Sequence, residues 1–275
     1  MLLYRLGPDG SFAVSDEVGG EMRRLLSDPL ATPPEQWSLG PPVAPQAPGA
    51  APARTKGSSG QPAPAGAVLA PILPGKIVGI GRNYVEHAKE MDNPVPSEPL
   101  LFLKSPSSLI DPGAPVVLPL ESQRVEYEGE IAVVVSRRLR RASADEAAAA
   151  VLGVTCACDV TARDLQRKDA TFARAKSFDT FCPLGPALRI GADLADLTVV
   201  TRLNGAERQR GHTREMVFGI VDLLVYTSRM MTLEPGDLLI TGTPGGVGPL
   251  AAGDRIEVEV TGVGILANPV ELLRQ

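Results

Sequence analysis

The pattern of apolar and polar positions along this chain predicts a series of short strands and a few short helices. Leu2 to Arg5 and Ser11 to Val14 flank the turn residues Gly7-Pro8-Asp9-Gly10, as in a hairpin. Residues 20–26 suit one short helix. From residue 31 to 66 the chain is rich in Pro, Ala, Gly and Ser and has no apolar period, so it reads as a poorly ordered linker without chemistry. Residues 75–81 and 99–104 then read as strands around a helical stretch, 82–91, that Asp92-Asn93-Pro94 ends. Residues 125–135 form the most regular segment. Period two puts Glu126, Glu128 and Glu130 on one strand face with Ala132 and Val134. The opposite face carries Val125, Tyr127, Gly129, Ile131, Val133 and Val135 and suits a core.

Further on, residues 143–151 are alanine-rich, with Ser143 and Glu146 at capping-box spacing. Residues 151–160 read as a strand ended by Asp159. Thr161-Ala162-Arg163-Asp164 fits a helix cap, with Gln166 one turn in. Residues 175–186 look like an aromatic loop. Residues 197–203 form a strand, Asn204-Gly205 gives a type I′ hairpin turn, and a return strand begins near Glu207. An amphipathic helix runs from about Gly219 to Met231. Residues 238–240 lead into the glycine-rich loop 241–248, and 254–260 are the last strong strand.

With 275 residues and 44% hydrophobic content, the chain can build one large domain plus a small appendage, which we divide at 1–70 and 71–275. A formal net charge of -5 does not suggest a nucleic-acid or anionic-membrane partner. No run approaches the roughly 20 apolar residues of a membrane-spanning helix, and the first seven residues lack the form of a signal peptide. Three cysteines, an odd number, argue for buried free thiols in a reducing cytoplasm.

Candidate chemistry concentrates in a few places. Neighbouring glutamates on one strand face either belong to a solvated edge or converge on a cation, as Glu126/Glu128 or as Glu128/Glu130. Asp159 is a local turn former or a third carboxylate for a hard divalent ion. His87 and Glu90, at i and i+3, share a helical face and suit a base with its orienting carboxylate, or an exposed pair. Lys104 faces a site or snorkels. Lys176 suits anion binding or acid–base work if buried. The loop 241–248 is a tight turn or an anion cradle to which Thr243 adds a hydroxyl. His212 lies in a polar stretch and is read as non-catalytic.

Taken in order, Gly81-Arg82-Asn83-Tyr84, His87-x-x-Glu90, Phe102-Leu103-Lys104, Tyr127-Glu128-Gly129-Glu130, Asp159-Val160-Thr161-Ala162-Arg163-Asp164-x-Gln166, Lys176-Ser177-Phe178-Asp179 and Thr241-Gly242-Thr243-Pro244-x-Gly246-Val247-Gly248 resemble the fumarylacetoacetate hydrolase family. The resemblance implies an α+β, mostly β fold, a mixed β-roll or sandwich-like catalytic domain with a small N-terminal domain, usually in a homodimer. It implies Mg²⁺ or Mn²⁺ on Glu128, Glu130 and Asp159, with Glu126 outside the ligand pair. It maps His87, Glu90, Lys176 and Gln166 to catalysis, the first two on a mobile lid, and Arg82, Gly242 and Thr243 to substrate binding. The implied activity is hydrolysis of a C–C bond in an acylpyruvate-type 2-oxo acid through a metal-stabilised enolate, with oxaloacetate decarboxylation as a related reaction. Isomerisation of a 2-hydroxy-unsaturated diacid, hydration or cleavage of a 2-oxo-3-deoxy sugar acid, and a catalytically silent homologue are the alternatives.

Overall fold

A computed structural model of the chain describes residues 1–44, 67–92 and 94–274. The expected linker's residues 45–66 lie outside that set. The protein is mostly β, as the family resemblance implies. Among the described residues, the largest sheet has twelve strands. Its order runs Leu39–Val43, Met22–Leu25, Ser11–Ser15, Leu2–Leu6, Cys182–Ile190, Val151–Cys158, Gly129–Val135, Leu238–Ile240, Ile77–Gly81 and Leu100–Lys104. Val68–Leu69 pairs with Leu2–Leu6, and Leu109–Ile110 with Cys182–Ile190. A five-stranded sheet, with Ala206–His212, Thr198–Leu203, Arg255–Val260, Gly264–Leu272 and Val116–Leu118 in that order, packs against it.

The strand Gly129–Val135 is buried along its whole length because it is central, paired with Val151–Cys158 on one side and Leu238–Ile240 on the other. Ile131, Val133 and Val135 join a core with Val199, Ile256, Val258 and Leu266 of the five-stranded sheet. Ala132 and Val134 enter a second core with Leu184, Leu238 and Ile240. Each such aliphatic side chain contributes roughly 1.5–3 kcal/mol by leaving water. That doubly packed strand forms a rigid floor from which Glu130 projects.

Several expected elements differ. The 125–135 run is two strands, Val125–Tyr127 and Gly129–Val135, broken at Glu128. The first belongs to a separate small sheet with Thr161–Ala162 and Gly248–Pro249. All three glutamates are buried, so none lies on a solvated edge. Residues 22–25, expected in a helix, form a strand. Pairing with Ser11–Ser15 and Leu39–Val43 overrides a weak local preference. Part of the proline-rich segment is therefore ordered as the edge strand Leu39–Val43. The helix expected over 82–91 is only Val85–Glu90. Arg82 takes a left-handed φ of 58°, and the Asn83 side chain is tied to Phe218 and Thr241. The expected 175–186 loop holds the short helix Ala173–Lys176 and the start of the strand Cys182–Ile190. A nine-residue strand, Gly264–Leu272, follows the one taken as last.

Other local signals hold. Asn204 and Gly205 have φ of 54° and 81°, the signs a type I′ turn needs. Ser143 and Glu146 form the expected capping box on Ala144–Ala149. The three cysteines are buried and free.

Candidate metal centre and active site

Glu128, Glu130 and Asp159 meet at one point. Each offers a carboxylate oxygen, and these oxygens lie within 4.8 Å of one another. Three chain segments bring them together. Glu128 sits at the break between two strands, and Glu130 lies one residue into the central strand. Asp159 follows the end of the neighbouring strand, where its N–H donates to Glu128 O at 2.8 Å. Gly129, between the two glutamates, lets the chain pass close to the five-stranded sheet. A Cβ there would lie 1.9 Å from Thr201 Oγ1.

Lys176 is buried, as a working lysine requires. Its Nζ lies 2.8 Å from Glu128 Oε2 and 2.5 Å from Asp159 Oδ2, and 4.8 Å from the centre of the Phe102 ring. Burial pulls its pKa down, but the Asp159 and Glu128 charges outweigh that and hold it above its usual value, so it stays protonated. Lys104 is buried and faces the site rather than snorkelling. Its Nζ donates to Asp159 Oδ1 at 2.6 Å and to the backbone of Val160 and Lys176.

Arg163 was not singled out from the sequence, yet it organises the opposite side. It donates to Glu126 Oε2 at 2.6 Å, to Glu128 Oε1, and to Gln166 Oε1 at 2.5 Å. Glu126 is thus neither a ligand-pair member nor solvated, but the partner of Arg163 and Arg124. A signal was present: Arg163 opens the helix Arg163–Lys168, where a cation opposes the helix dipole and needs a tertiary partner. Since Arg163 is the donor, the Gln166 oxygen is occupied, which leaves the amide NH₂ as its donor group.

The centre carries an unbalanced charge. Four buried carboxylates, Glu126, Glu128, Glu130 and Asp159, face three buried cations, Lys104, Arg163 and Lys176. Burial alone would raise Glu128, but the Lys176 and Arg163 charges hold it well below the ordinary carboxylate range. Glu130 has no ion pair among the described residues. Burial, then the Asp159 and Glu128 charges, drive it well above the ordinary range, and its Oε2 accepts only the Gly242 N–H at 2.6 Å. An all-oxygen set with one uncompensated buried carboxylate fits a hard divalent cation. Cys158 and Cys182 lie behind the cluster, and burial pushes both thiols up, Cys182 to about 12. Soft thiolate ligation is not on offer there.

A cavity of about 280 Å³ opens beside this cluster. Its walls include Arg82, His87, Phe102, Glu128, Gln166, Lys176 and Thr243. His87 is buried and Nδ1 has no hydrogen-bond partner among the described residues. Burial, partly offset by Glu128, lowers its pKa and keeps the imidazole neutral. Glu90 Oε2 lies 3.6 Å from His87 Nδ1, beyond hydrogen-bond length, and accepts the Gly246 N–H at 3.0 Å instead. Gly242 has φ of 97°, and its N–H is committed to Glu130. The Thr243 hydroxyl donates to Gly129 O at 2.9 Å and accepts from Gln209 Nε2 at 2.7 Å. Gln209, which the sequence reading passed over, also bonds Gly129 N and Pro244 O, locking the glutamate segment to the glycine-rich loop. His212 caps a surface turn and pairs with Asp196.

A centre of buried carboxylates able to hold a metal ion, beside a small cavity on a mixed β fold, is the arrangement of an enzyme site. The chain belongs to the fumarylacetoacetate hydrolase family: the family's C-terminal domain, described as Fumarylacetoacetate (FAA) hydrolase C-terminal, matches residues 76–271. A human relative named oxaloacetate tautomerase FAHD2A, mitochondrial, is 44% identical over 215 residues, 74% of this chain and 68% of that protein. Among solved structures, 5-carboxymethyl-2-hydroxymuconate delta-isomerase from Mycobacterium smegmatis is 37% identical with a TM-score of 0.81, each chain covered over 100% of its length. 2-Hydroxyhepta-2,4-diene-1,7-dioate isomerase from Mycobacterium marinum is 35% identical with a TM-score of 0.80, again over 100% of both chains. No helix among the described residues is long and apolar enough to cross a membrane.

Proposed function

We propose that this protein moves a proton at the carbon beside the keto group of a small 2-oxo acid, as a tautomerase or isomerase, with Mg²⁺ or Mn²⁺ held by Glu128, Glu130 and Asp159. The observation that carries this reading is His87: buried in the cavity wall, neutral, and with Nδ1 unpartnered. A neutral imidazole beside a carboxylate cluster suited to a divalent cation fits abstraction and return of a proton near neutral pH. The names of the human relative and the two mycobacterial structures agree with that chemistry.

In this reading His87 takes the C3 proton while the C–H electron pair forms the C2–C3 double bond and the carbonyl pair moves onto oxygen. The proton returns to that oxygen to give the enol, or to a more distant carbon to shift a double bond. A divalent cation bound by the three carboxylates supplies positive charge that stabilises the enolate. Lys176 and Lys104 fix Asp159 from two sides, and Arg163 fixes Glu128, so the floor does not rearrange as charge develops. Gln166 offers its NH₂ to a substrate oxygen. Phe102 and Phe172 wall the cavity against water.

Hydrolytic cleavage of an acylpyruvate is the second reading, favoured by Glu90 lying 3.6 Å from His87, close enough to orient it after a small shift. The discriminating experiment supplies oxaloacetate and an acylpyruvate to the Mg²⁺-loaded protein. We expect enol–keto conversion of oxaloacetate well above the buffer rate, and its loss in His87→Asn. Rapid cleavage of the acylpyruvate with enol–keto conversion left at the buffer rate would replace the first reading by the second. A homodimer in the cytoplasm, the setting proposed for the chain, predicts a light-scattering mass of twice the chain.

A further inference from the structure

The carboxylate oxygens of Glu128, Glu130 and Asp159 are not equally free. Arg163 donates to Glu128 Oε1, Lys104 to Asp159 Oδ1 at 2.6 Å, and the Gly242 N–H to Glu130 Oε2 at 2.6 Å. Lys176 Nζ alone bridges two of the three carboxylates, reaching Asp159 Oδ2 at 2.5 Å and Glu128 Oε2 at 2.8 Å. Only Glu130 Oε1 accepts no hydrogen bond among the described residues. A divalent cation drawn to this triad therefore meets an ammonium group already seated on two of its ligands.

The three buried cations differ in how firmly they are held. Arg163 is fixed by Glu126 and Gln166 as well as by Glu128. Lys104 Nζ donates to the backbone oxygens of Val160 and Lys176 besides Asp159. Among the described residues, Lys176 Nζ has no acceptor but the two carboxylates, and the Phe102 ring lies 4.8 Å away. Its backbone is anchored, since Lys176 N donates to Phe172 O at 3.0 Å and Lys176 O accepts from Lys104. The ammonium, however, ends a flexible four-carbon stem beside the cavity, so it can turn while the chain stays put. Charge points the same way. With a divalent cation on the triad, five buried positive charges face four buried carboxylates, and the cation closest to the metal bears the most repulsion.

Resting on the metal site proposed above, we infer that Lys176 competes with the divalent cation for Glu128 Oε2 and holds its affinity down. Metal binding takes that oxygen, the longer of the two Lys176 bonds, and leaves the ammonium on Asp159 Oδ2. The N–H so released turns to the cavity, where the carboxylate of an incoming acid accepts it and offsets the excess positive charge. Metal and acid thus bind better together than either does alone, and one side chain carries part of that coupling.

The test is Mg²⁺ binding by calorimetry, with an NMR arm on the wild-type protein. Lys176→Met should tighten Mg²⁺ binding by about ten- to a hundredfold; the full Coulomb value is larger, but the flexible stem lets the wild-type ammonium retreat. Lys176→Arg, which keeps the charge, should show no gain. Saturating 3,3-dimethyl-2-oxobutanoate, a 2-oxo acid with no C3 proton to move, should tighten Mg²⁺ binding more in the wild-type protein than in Lys176→Met. In the wild-type protein Mg²⁺ should shift the nitrogen signal of the Lys176 ammonium, identified by its loss in Lys176→Arg. Unchanged or weaker Mg²⁺ binding in Lys176→Met overturns the inference. So does a gain that Lys176→Arg shares, an equal effect of the acid on both proteins, or an ammonium signal that Mg²⁺ leaves in place. Because no arm involves turnover, tighter binding in Lys176→Met, when the wild-type protein fails to move the C3 proton, rejects the proposed reaction and keeps this inference. Exchange at C3 in the wild-type protein, with no gain in Lys176→Met, keeps the reaction and rejects the inference.

Discussion

Arg163→Met tests whether the buried cations are what allow the carboxylate cluster to exist. The substitution keeps an unbranched apolar stem and removes a guanidinium that is 2% exposed and bonds Glu126, Glu128 and Gln166. Removing one partner of a buried ion pair costs about 3–5 kcal/mol, because the other charge stays behind without compensation. Two carboxylates lose a partner here, yet the cost should not double. Arg124 still reaches Glu126 at 2.6 Å, and Lys176 still reaches Glu128 at 2.8 Å. We therefore expect a loss of about 3–5 kcal/mol, a large share of the roughly 5–15 kcal/mol that holds a domain folded. Urea denaturation near neutral pH in EDTA reads it directly. Adding Glu126→Gln removes the buried charge that has lost its Arg163 partner and should restore about 1–3 kcal/mol, a coupling that independent sites would not show. A loss below about 1 kcal/mol, with no coupling, would mean that Glu126 and Glu128 are solvated and the buried network is wrong.

Three further perturbations probe the same account. Gly129→Ala should destabilise by about 1–3 kcal/mol and weaken Mg²⁺ binding, since the new methyl meets Thr201 Oγ1 at 1.9 Å; thermal melts and metal calorimetry with no change would contradict it. Lys104→Met should leave Asp159 with Lys176 alone and lower stability by about 3–5 kcal/mol, checked by urea midpoints. Burial depresses His87, so the unfolded chain takes up this proton first, at about pH 6.5. Its contribution to stability is present above that pH and is lost as pH falls toward the lower folded value. His87→Asn should flatten this part of the stability profile, and the acidic limb of wild-type kcat/KM should lie below about pH 6.5; a limb above it would exclude His87 as the neutral base.

Many of the strands and turns were legible in residue order, and the misses share a cause. The β-branched run revealed the strand at 129–135, and turn chemistry revealed the hairpin at Asn204-Gly205, because both are local. Period two also suggested one continuous strand through Glu126, Glu128 and Glu130. The break at Glu128 comes from the pairing of Val125–Tyr127 with Thr161–Ala162 and Gly248–Pro249, partners far away in the chain. Met22–Leu25 became a strand for the same reason. His87, Lys176 and the carboxylates were candidates by residue type and spacing, and the family resemblance alone chose Glu128, Glu130 and Asp159 as a set. Lys104 was left between two readings, and Arg163 and Gln209 were passed over. A buried cation or amide is recognisable only by the partners that tertiary packing supplies.

The central claim is that Glu128, Glu130 and Asp159 hold a divalent cation without which the C3 proton does not move. Deuterium incorporation at C3 of a 2-oxo diacid, followed by NMR in D₂O, tests it most directly. With Mg²⁺ the protein should speed exchange by at least about a hundredfold over buffer, as positioned acid–base catalysis does. EDTA should return exchange to the buffer rate, added Mg²⁺ should restore it, and Glu128→Ala should show none of the acceleration. Acceleration that persists in EDTA, or in Glu128→Ala, would contradict the account.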